Sequence, residues 1–89
     1  MKQSVILTIQ GHVQGVGFRY FVKQKADELG IHGFVKNQLN GAVYIEAEGE
    51  AESLQMFIHV CQQGPSHAWV EKTDIQYCPF QNFSRFEKR

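Results

Sequence analysis

The chain has 89 residues, enough for one domain with its own hydrophobic core, and we expect a single domain over residues 1–89. Nine basic residues balance nine acidic ones, so a general nucleic-acid binder, which would be clearly basic, is not expected. No stretch approaches the roughly 20 apolar residues of a membrane span, and Met1–Ser4 does not begin a signal peptide. Two cysteines, Cys61 and Cys78, form no disulfide framework, which predicts reduced thiols and a cytoplasmic protein.

The first half of the chain predicts a strand, a helix and a hairpin. Apolar and polar residues alternate over residues 3–10, which is typical of a strand. Apolar residues then recur at helical spacing from Phe18 to Leu29, and Gly30 follows in the usual position of a left-handed cap. Two further strands flank Asn40-Gly41, which is typical of a hairpin turn. In the second of these strands we expect inward Val43, Ile45 and Ala47 and outward Tyr44, Glu46 and Glu48.

The second half predicts another helix and less regular strands. The helix is indicated by apolar residues from Leu54 to Cys61, and Gly64-Pro65 ends it. Ala68 and Val70 indicate a fourth strand, and residues 82–89 a weak final one that ends early and charged. The order of elements, βαββαβ, predicts an α+β ferredoxin-like sandwich, with two helices on one face of an antiparallel sheet.

A glycine-rich loop that ends in arginine joins the first strand to the first helix. Its glycines allow main-chain N–H groups to converge, and the start of a helix adds free donors and a positive dipole end. Arg19 adds a permanent charge and a planar fork that fits phosphate. Neither a Walker loop nor a dinucleotide fingerprint fits the spacing of these glycines. The loop therefore predicts an oxyanion site with phosphate chemistry, outside the nucleotide-binding folds.

The loop resembles the signature of the acylphosphatase family. The resemblance is carried by the segment Gly11-x-Val13-Gln14-Gly15-Val16-Gly17-Phe18-Arg19. Further matches follow in the family's order, at Leu29-Gly30, Gly33, Val35-x-Asn37, Gly41-x-Val43, Glu48-Gly49, Gly64-Pro65 and Ala68-x-Val70. The resemblance covers residues 5–75 and implies the same βαββαβ architecture that the periodicities predict.

The resemblance also implies an activity, the hydrolysis of the carboxyl–phosphate bond of acyl phosphates to a carboxylate and inorganic phosphate. It implies that Arg19 binds the phosphate and that Asn37 positions the attacking water. The phosphate would also receive main-chain N–H groups from Gln14, Gly15, Val16, Gly17, Phe18 and Arg19. The resemblance implies no metal, no cofactor and no covalent enzyme intermediate. These residue types suit the chemistry, because an acyl phosphate has a good leaving group and needs mainly charge stabilisation and in-line positioning.

Blander interpretations of the same residues stay open. Arg19 could be a surface cation, and Asn37 could be a turn residue like Asn40. The four histidines show no metal-ligand spacing, so we expect them on the surface or in loops.

Two other functions also stay open. One is a non-catalytic phosphate-binding or interaction module on the same fold, and the other is an RNA-binding ferredoxin-like domain. We favour an enzyme that acts as a monomer. Its ligands would be a small acyl phosphate and, in the loop, inorganic phosphate or a similar anion, with no nucleic-acid or membrane partner.

Overall fold

Five strands form one sheet in a computed structural model that describes residues 1–89, and two helices cover one face of that sheet. In chain order the elements are β1 (Lys2–His12), α1 (Phe18–Leu29), β2 (His32–Asn37), β3 (Val43–Glu50), α2 (Ala51–Gln63), β4 (Trp69–Cys78) and β5 (Phe86–Lys88). The predicted ferredoxin-like α+β fold is confirmed. Neither α1 nor α2 combines the length and the hydrophobicity that a membrane-spanning helix needs.

The strands lie in the order β4-β1-β3-β2-β5. All neighbouring strands are antiparallel except β2 and β5, which are parallel, so the prediction of an antiparallel sheet is wrong for this one pair. The reason is the path of residues 79–85, which lead from β4 at one edge of the sheet to the opposite edge. β5 therefore enters beside β2 in the same direction.

The hydrophobic core lies between the sheet and the two helices. Period-two alternation turns Val5 and Leu7 of β1 and Ile45 of β3 inward, where all three are fully buried. The helices cover them with residues at helical spacing, such as Val22 and Leu54. Because the same periodicities are visible in the sequence, β1, α1, β3 and α2 lie where they were expected, and Gly30 adopts the left-handed cap conformation.

The opposite face of the sheet departs from expectation at Glu48. Alternation places this residue on the outer face, as predicted, but its side chain is buried, with a relative exposure of only 2 %. Residues 79–85 run across this face, and the Glu48 carboxylate accepts the main-chain N–H groups of Gln81 and Phe83. The carboxylate thus fastens the crossing segment to the centre of the sheet.

The topology brings several chain segments to one end of the sheet. β1 and β2 are both antiparallel to β3, and β5 is parallel to β2. The carboxyl ends of β1, β2 and β5 therefore lie at the same end of the sheet. α1 follows β1 directly, and its N-terminus lies at this end of the sheet as well. The loop that precedes α1, the end of β2 and the end of β5 are therefore neighbours in space.

Candidate active site

The loop between β1 and α1 presents main-chain N–H groups that have no partner within the protein. Gly15 and Gly17 adopt left-handed conformations, with φ values of 75° and 78°, which glycine reaches without the steric cost of a Cβ. Gly17 is the N-cap of α1, and no side chain caps the helix. None of the N–H groups from Gln14 to Tyr20 donates a hydrogen bond to another protein group. These donors suit an anion, and no acidic residue lies in the first helical turn to compete with it.

Arg19, on the first turn of α1, is oriented by the end of β5. Its Nη1 donates a hydrogen bond of 2.7 Å to the main-chain oxygen of Arg89. Arg89 is itself held in place, because its N–H donates to the Val35 oxygen at 2.8 Å and its guanidinium lies 4.0 Å from the centre of the Phe34 ring. The same guanidinium donates two hydrogen bonds to Glu87. The other donors of the Arg19 guanidinium form no hydrogen bond within the protein.

The carboxylate of Glu87 is fully engaged by arginines other than Arg19. Hydrogen bonds from Arg89 and from Arg85 lower the pKa of Glu87 below its ordinary value. The Glu87 carboxylate is therefore paired with the two arginines that flank β5 and forms no ion pair with Arg19.

Asn37 is the last residue of β2 and is exposed at the same end of the sheet as the loop. Its neighbour in the hairpin, Asn40, has a different role, because its Oδ1 accepts the N–H of Ala42 at 3.0 Å and thereby stabilises the turn. Of the two asparagines, only Asn37 lies in the cleft that contains Arg19. Asn40 therefore makes a turn contact, and the Asn37 side chain forms no hydrogen bond within the protein.

The cleft has a volume of about 160 Å³ and contains most of the predicted site residues. Its lining residues are Val13, Gly15, Gly17, Phe18, Arg19, Tyr20, Asn37 and Lys88. Gln14 and Val16 do not line it. The Gln14 side chain donates instead to the oxygens of Gln38 and Ala42, at 2.8 and 2.9 Å, and Val16 packs against the core. Gln14 thus ties the loop to the hairpin that carries Asn37.

Sequence reasoning missed three residues around the cleft. Tyr20 follows Arg19 directly, and its position on the first helical turn could have indicated it. No sequence pattern predicted that Lys88 and Arg89 lie near the cleft, because they reach it only through the parallel pairing of β5 with β2. No Asp or Glu lines the cleft, and all four histidines are exposed.

Comparisons with known proteins agree on one family. The sequence model of the acylphosphatase family matches residues 5–88. The chain belongs to the acylphosphatase family. It is 44 % identical to an acylphosphatase of Archaeoglobus fulgidus over 79 residues, 89 % of each chain, and 45 % identical to one of Deinococcus radiodurans over 69 residues, 78 % of this chain and 79 % of the relative.

A solved acylphosphatase structure supports the same assignment at the level of the fold. The acylphosphatase of Coxiella burnetii superposes with a TM-score of 0.95 at 34 % identity, over 99 % of this chain and 93 % of that one. Acylphosphatases are hydrolases, so the protein is an enzyme of this class. The cleft described above lies within the part of the chain that the family model matches.

Proposed function

We propose that the protein hydrolyses acyl phosphates without a metal ion, holding the phosphoryl group with Arg19 and the loop amides and the attacking water with Asn37. The observation that carries the proposal is the shared cleft. Unpaired main-chain donors, one arginine and one exposed asparagine meet there, although they come from different elements of the chain.

The phosphoryl group would lie against the loop. The N–H groups of residues 14–19 supply donors without any side chain having to move, and the dipole of α1 adds a partial positive charge. The Arg19 guanidinium supplies the full positive charge and two parallel donors for two phosphoryl oxygens. Such donors stabilise the charge that spreads over the phosphoryl oxygens in the transition state, which is the main requirement of phosphoryl transfer.

The water would lie against Asn37. Its amide oxygen can accept a hydrogen bond from the water and direct the lone pair of the water oxygen at phosphorus, in line with the bond to the acyl oxygen. As the new P–O bond forms, the bond from phosphorus to the acyl oxygen breaks and the carboxylate leaves with the electron pair. An amide is a poor general base, and no carboxylate lines the cleft, so we propose that the proton of the water passes to a phosphoryl oxygen.

The direct test is an activity assay on benzoyl phosphate in the presence of a chelator. We expect turnover by the wild type and a loss of about a hundredfold or more in kcat for Arg19→Ala and for Asn37→Ala, since each removes a transition-state contact. Both variants should still melt cooperatively. Asn40→Ala is the matched control, because this asparagine serves only the turn, and it should retain its activity.

Binding of inorganic phosphate separates the two roles. Asn37→Ala should still gain thermal stability from phosphate, whereas Arg19→Ala should gain much less, because of these two side chains only that of Arg19 is proposed to contact the anion. Full activity of either variant would overturn the site assignment. A phosphate-dependent thermal shift of the wild type without turnover of any acyl phosphate would favour a non-catalytic phosphate-binding module.

We further propose that the enzyme works as a monomer in the cytoplasm, without a nucleic-acid or membrane partner. The balanced formal charge favours this interpretation, as do two free thiols, which that compartment keeps reduced. Burial raises the pKa of the Cys61 thiol, so this group stays protonated and unreactive in the folded chain. Sedimentation at several protein concentrations tests the monomer, and a concentration-dependent increase in mass would contradict it.

A further inference from the structure

Lys88 is a second cation at the cleft, and the proposed mechanism does not use it. β5 pairs with β2 in a register that places Lys88 beside Val35, whose side chain is buried against the helices. Alternation places Asn37, two residues further along β2, on the same face. The lysine side chain therefore lies on the face of the sheet that carries Asn37, and it lines the cleft together with Arg19.

The charge of Lys88 is not neutralised within the protein. Its neighbour Glu87 is bonded to Arg85 and Arg89, and Lys88 forms no ion pair with any acidic group of the chain. No Asp or Glu side chain lines the cleft, so no carboxylate side chain of the cleft pairs with the ammonium group.

Two exposed side chains lie in the cleft beside the proposed phosphate contacts. Arg19 is partly buried, whereas Tyr20 and Lys88 are exposed, the tyrosine with 66 % of its surface free. With the phosphoryl group against Arg19 and the loop amides, and the water against Asn37, as proposed above, Tyr20 and Lys88 are the exposed side chains of the cleft that remain available to the acyl group.

We propose that Lys88 binds an anionic group in the acyl part of the substrate, so that the enzyme prefers acyl phosphates carrying a second negative charge over neutral ones. This inference rests on the proposed hydrolysis of acyl phosphates. Lys88 is thus a specificity-determining residue, while the phosphate itself is held by Arg19 and the loop. Because Lys88 is exposed, its contribution is screened by salt and is modest in size.

A matched pair of substrates tests the preference. Benzoyl phosphate and 4-carboxybenzoyl phosphate share the ring and the acyl phosphate, and the para carboxylate is too far away to attack its own acyl carbon. We expect the wild type to show the higher kcat/KM on the carboxylated substrate. In Lys88→Met the ratio of the two kcat/KM values should fall about 1.5- to fivefold, the range expected for an exposed charge pair.

The controls locate the effect. Lys88→Arg should restore the preference, and 0.5 M NaCl should reduce it in the wild type. Lys36→Met should leave it unchanged, because Lys36 belongs to the opposite face of β2, where its ammonium lies over the Tyr44 ring. An equal loss on both substrates in Lys88→Met would mean that Lys88 acts on the phosphate. No change on either would make it a surface lysine, and each of these results overturns the inference.

Failure of the parent proposal would look different. In that case the wild type would hydrolyse neither substrate, and this inference would fall together with the proposed function. A wild type that hydrolyses benzoyl phosphate with an unchanged ratio in Lys88→Met would overturn the inference alone.

Discussion

Two regions surround the cleft, and they are built in opposite ways. The loop before α1, residues 14–19, is contiguous and presents mainly main-chain N–H groups, with Arg19 as its only charged side chain. The C-terminal segment, residues 79–89, crosses the sheet and is held by side chains: Glu48 accepts two of its N–H groups, and Phe86 is buried in the core. A change in the first region should therefore affect mainly the chemistry, and a change at the anchoring contacts of the second region should affect mainly the stability.

The two regions meet at a single hydrogen bond, from Arg19 to the main-chain oxygen of Arg89. The C-terminal segment is held by stabilising contacts elsewhere, and its last residue, Arg89, contacts the charged side chain of Arg19. Substitutions in each of the two regions test this contrast.

The largest expected effect is on stability, from Phe86→Ala in the C-terminal segment. Phe86 is buried in the core, with its ring centre 6.0 Å from that of Phe57, so truncation should cost about 3 to 5 kcal/mol in the free energy of unfolding. Phe80→Ala, in the same segment but exposed, should cost less than about 1 kcal/mol. Chemical denaturation measures both, and equal losses would mean that β5 is not anchored by the core.

The next effect is on activity, from Arg19→Lys in the loop region. Lysine keeps the charge but lacks the planar fork, so we expect kcat/KM for benzoyl phosphate to fall by about a hundredfold. The free energy of unfolding should change by less than about 0.5 kcal/mol, since the side chain is at the surface of the cleft. Steady-state kinetics and denaturation on the same sample check both statements. A large loss of stability with intact activity would reverse the contrast between the two regions.

Glu48→Gln tests how much the hydrogen bonds from the C-terminal segment to Glu48 stabilise the fold. An amide can accept one of the two N–H groups, but its own NH₂ opposes the other, which leaves a buried donor unsatisfied and should cost about 1 to 3 kcal/mol. Glu46→Gln is the control on the same strand, because the Glu46 carboxylate is only half-buried and binds only the Tyr44 hydroxyl. Hydrogen exchange of the Gln81 and Phe83 amides should accelerate in the first variant alone.

The smallest expected effect is the pH dependence introduced by Glu87. Its pKa is lower in the folded chain than in the unfolded one, so the ionised group stabilises the fold above the unfolded pKa, and this contribution is lost as pH falls through the folded pKa. Glu87→Gln should lower Tm by about 1 to 4 °C at pH 7. The difference from the wild type should shrink below about pH 4, the ordinary range of a glutamate. A difference that is constant down to pH 2 would exclude a role for the charge.

Prediction from the sequence was most successful where neighbouring residues decide the structure. The helix from Phe18 to Leu29 and the cap at Gly30 depend on spacing within a few residues, and the structure has both at the expected positions. It was least successful beyond Cys78. There the weak strand expected over residues 82–89 is only Phe86–Lys88, because the preceding residues are bonded to Glu48 on a distant strand.

The candidate site also combines residues that local sequence patterns predict with residues that only long-range contacts bring together. The loop and Arg19 could be predicted as an anion site from the residues themselves, because a glycine-rich turn before a helix creates free N–H donors by local geometry alone. Asn37 was predicted through the resemblance to the acylphosphatase family. Lys88, Arg89 and the burial of Glu48 follow from the order of the strands and from the parallel entry of β5 beside β2. Contacts between residues so far apart depend on how the whole chain packs, and no local pattern in the sequence encodes them. The loop side of the cleft could therefore be predicted from neighbouring residues. The charge of Lys88 reaches the cleft only in the folded chain.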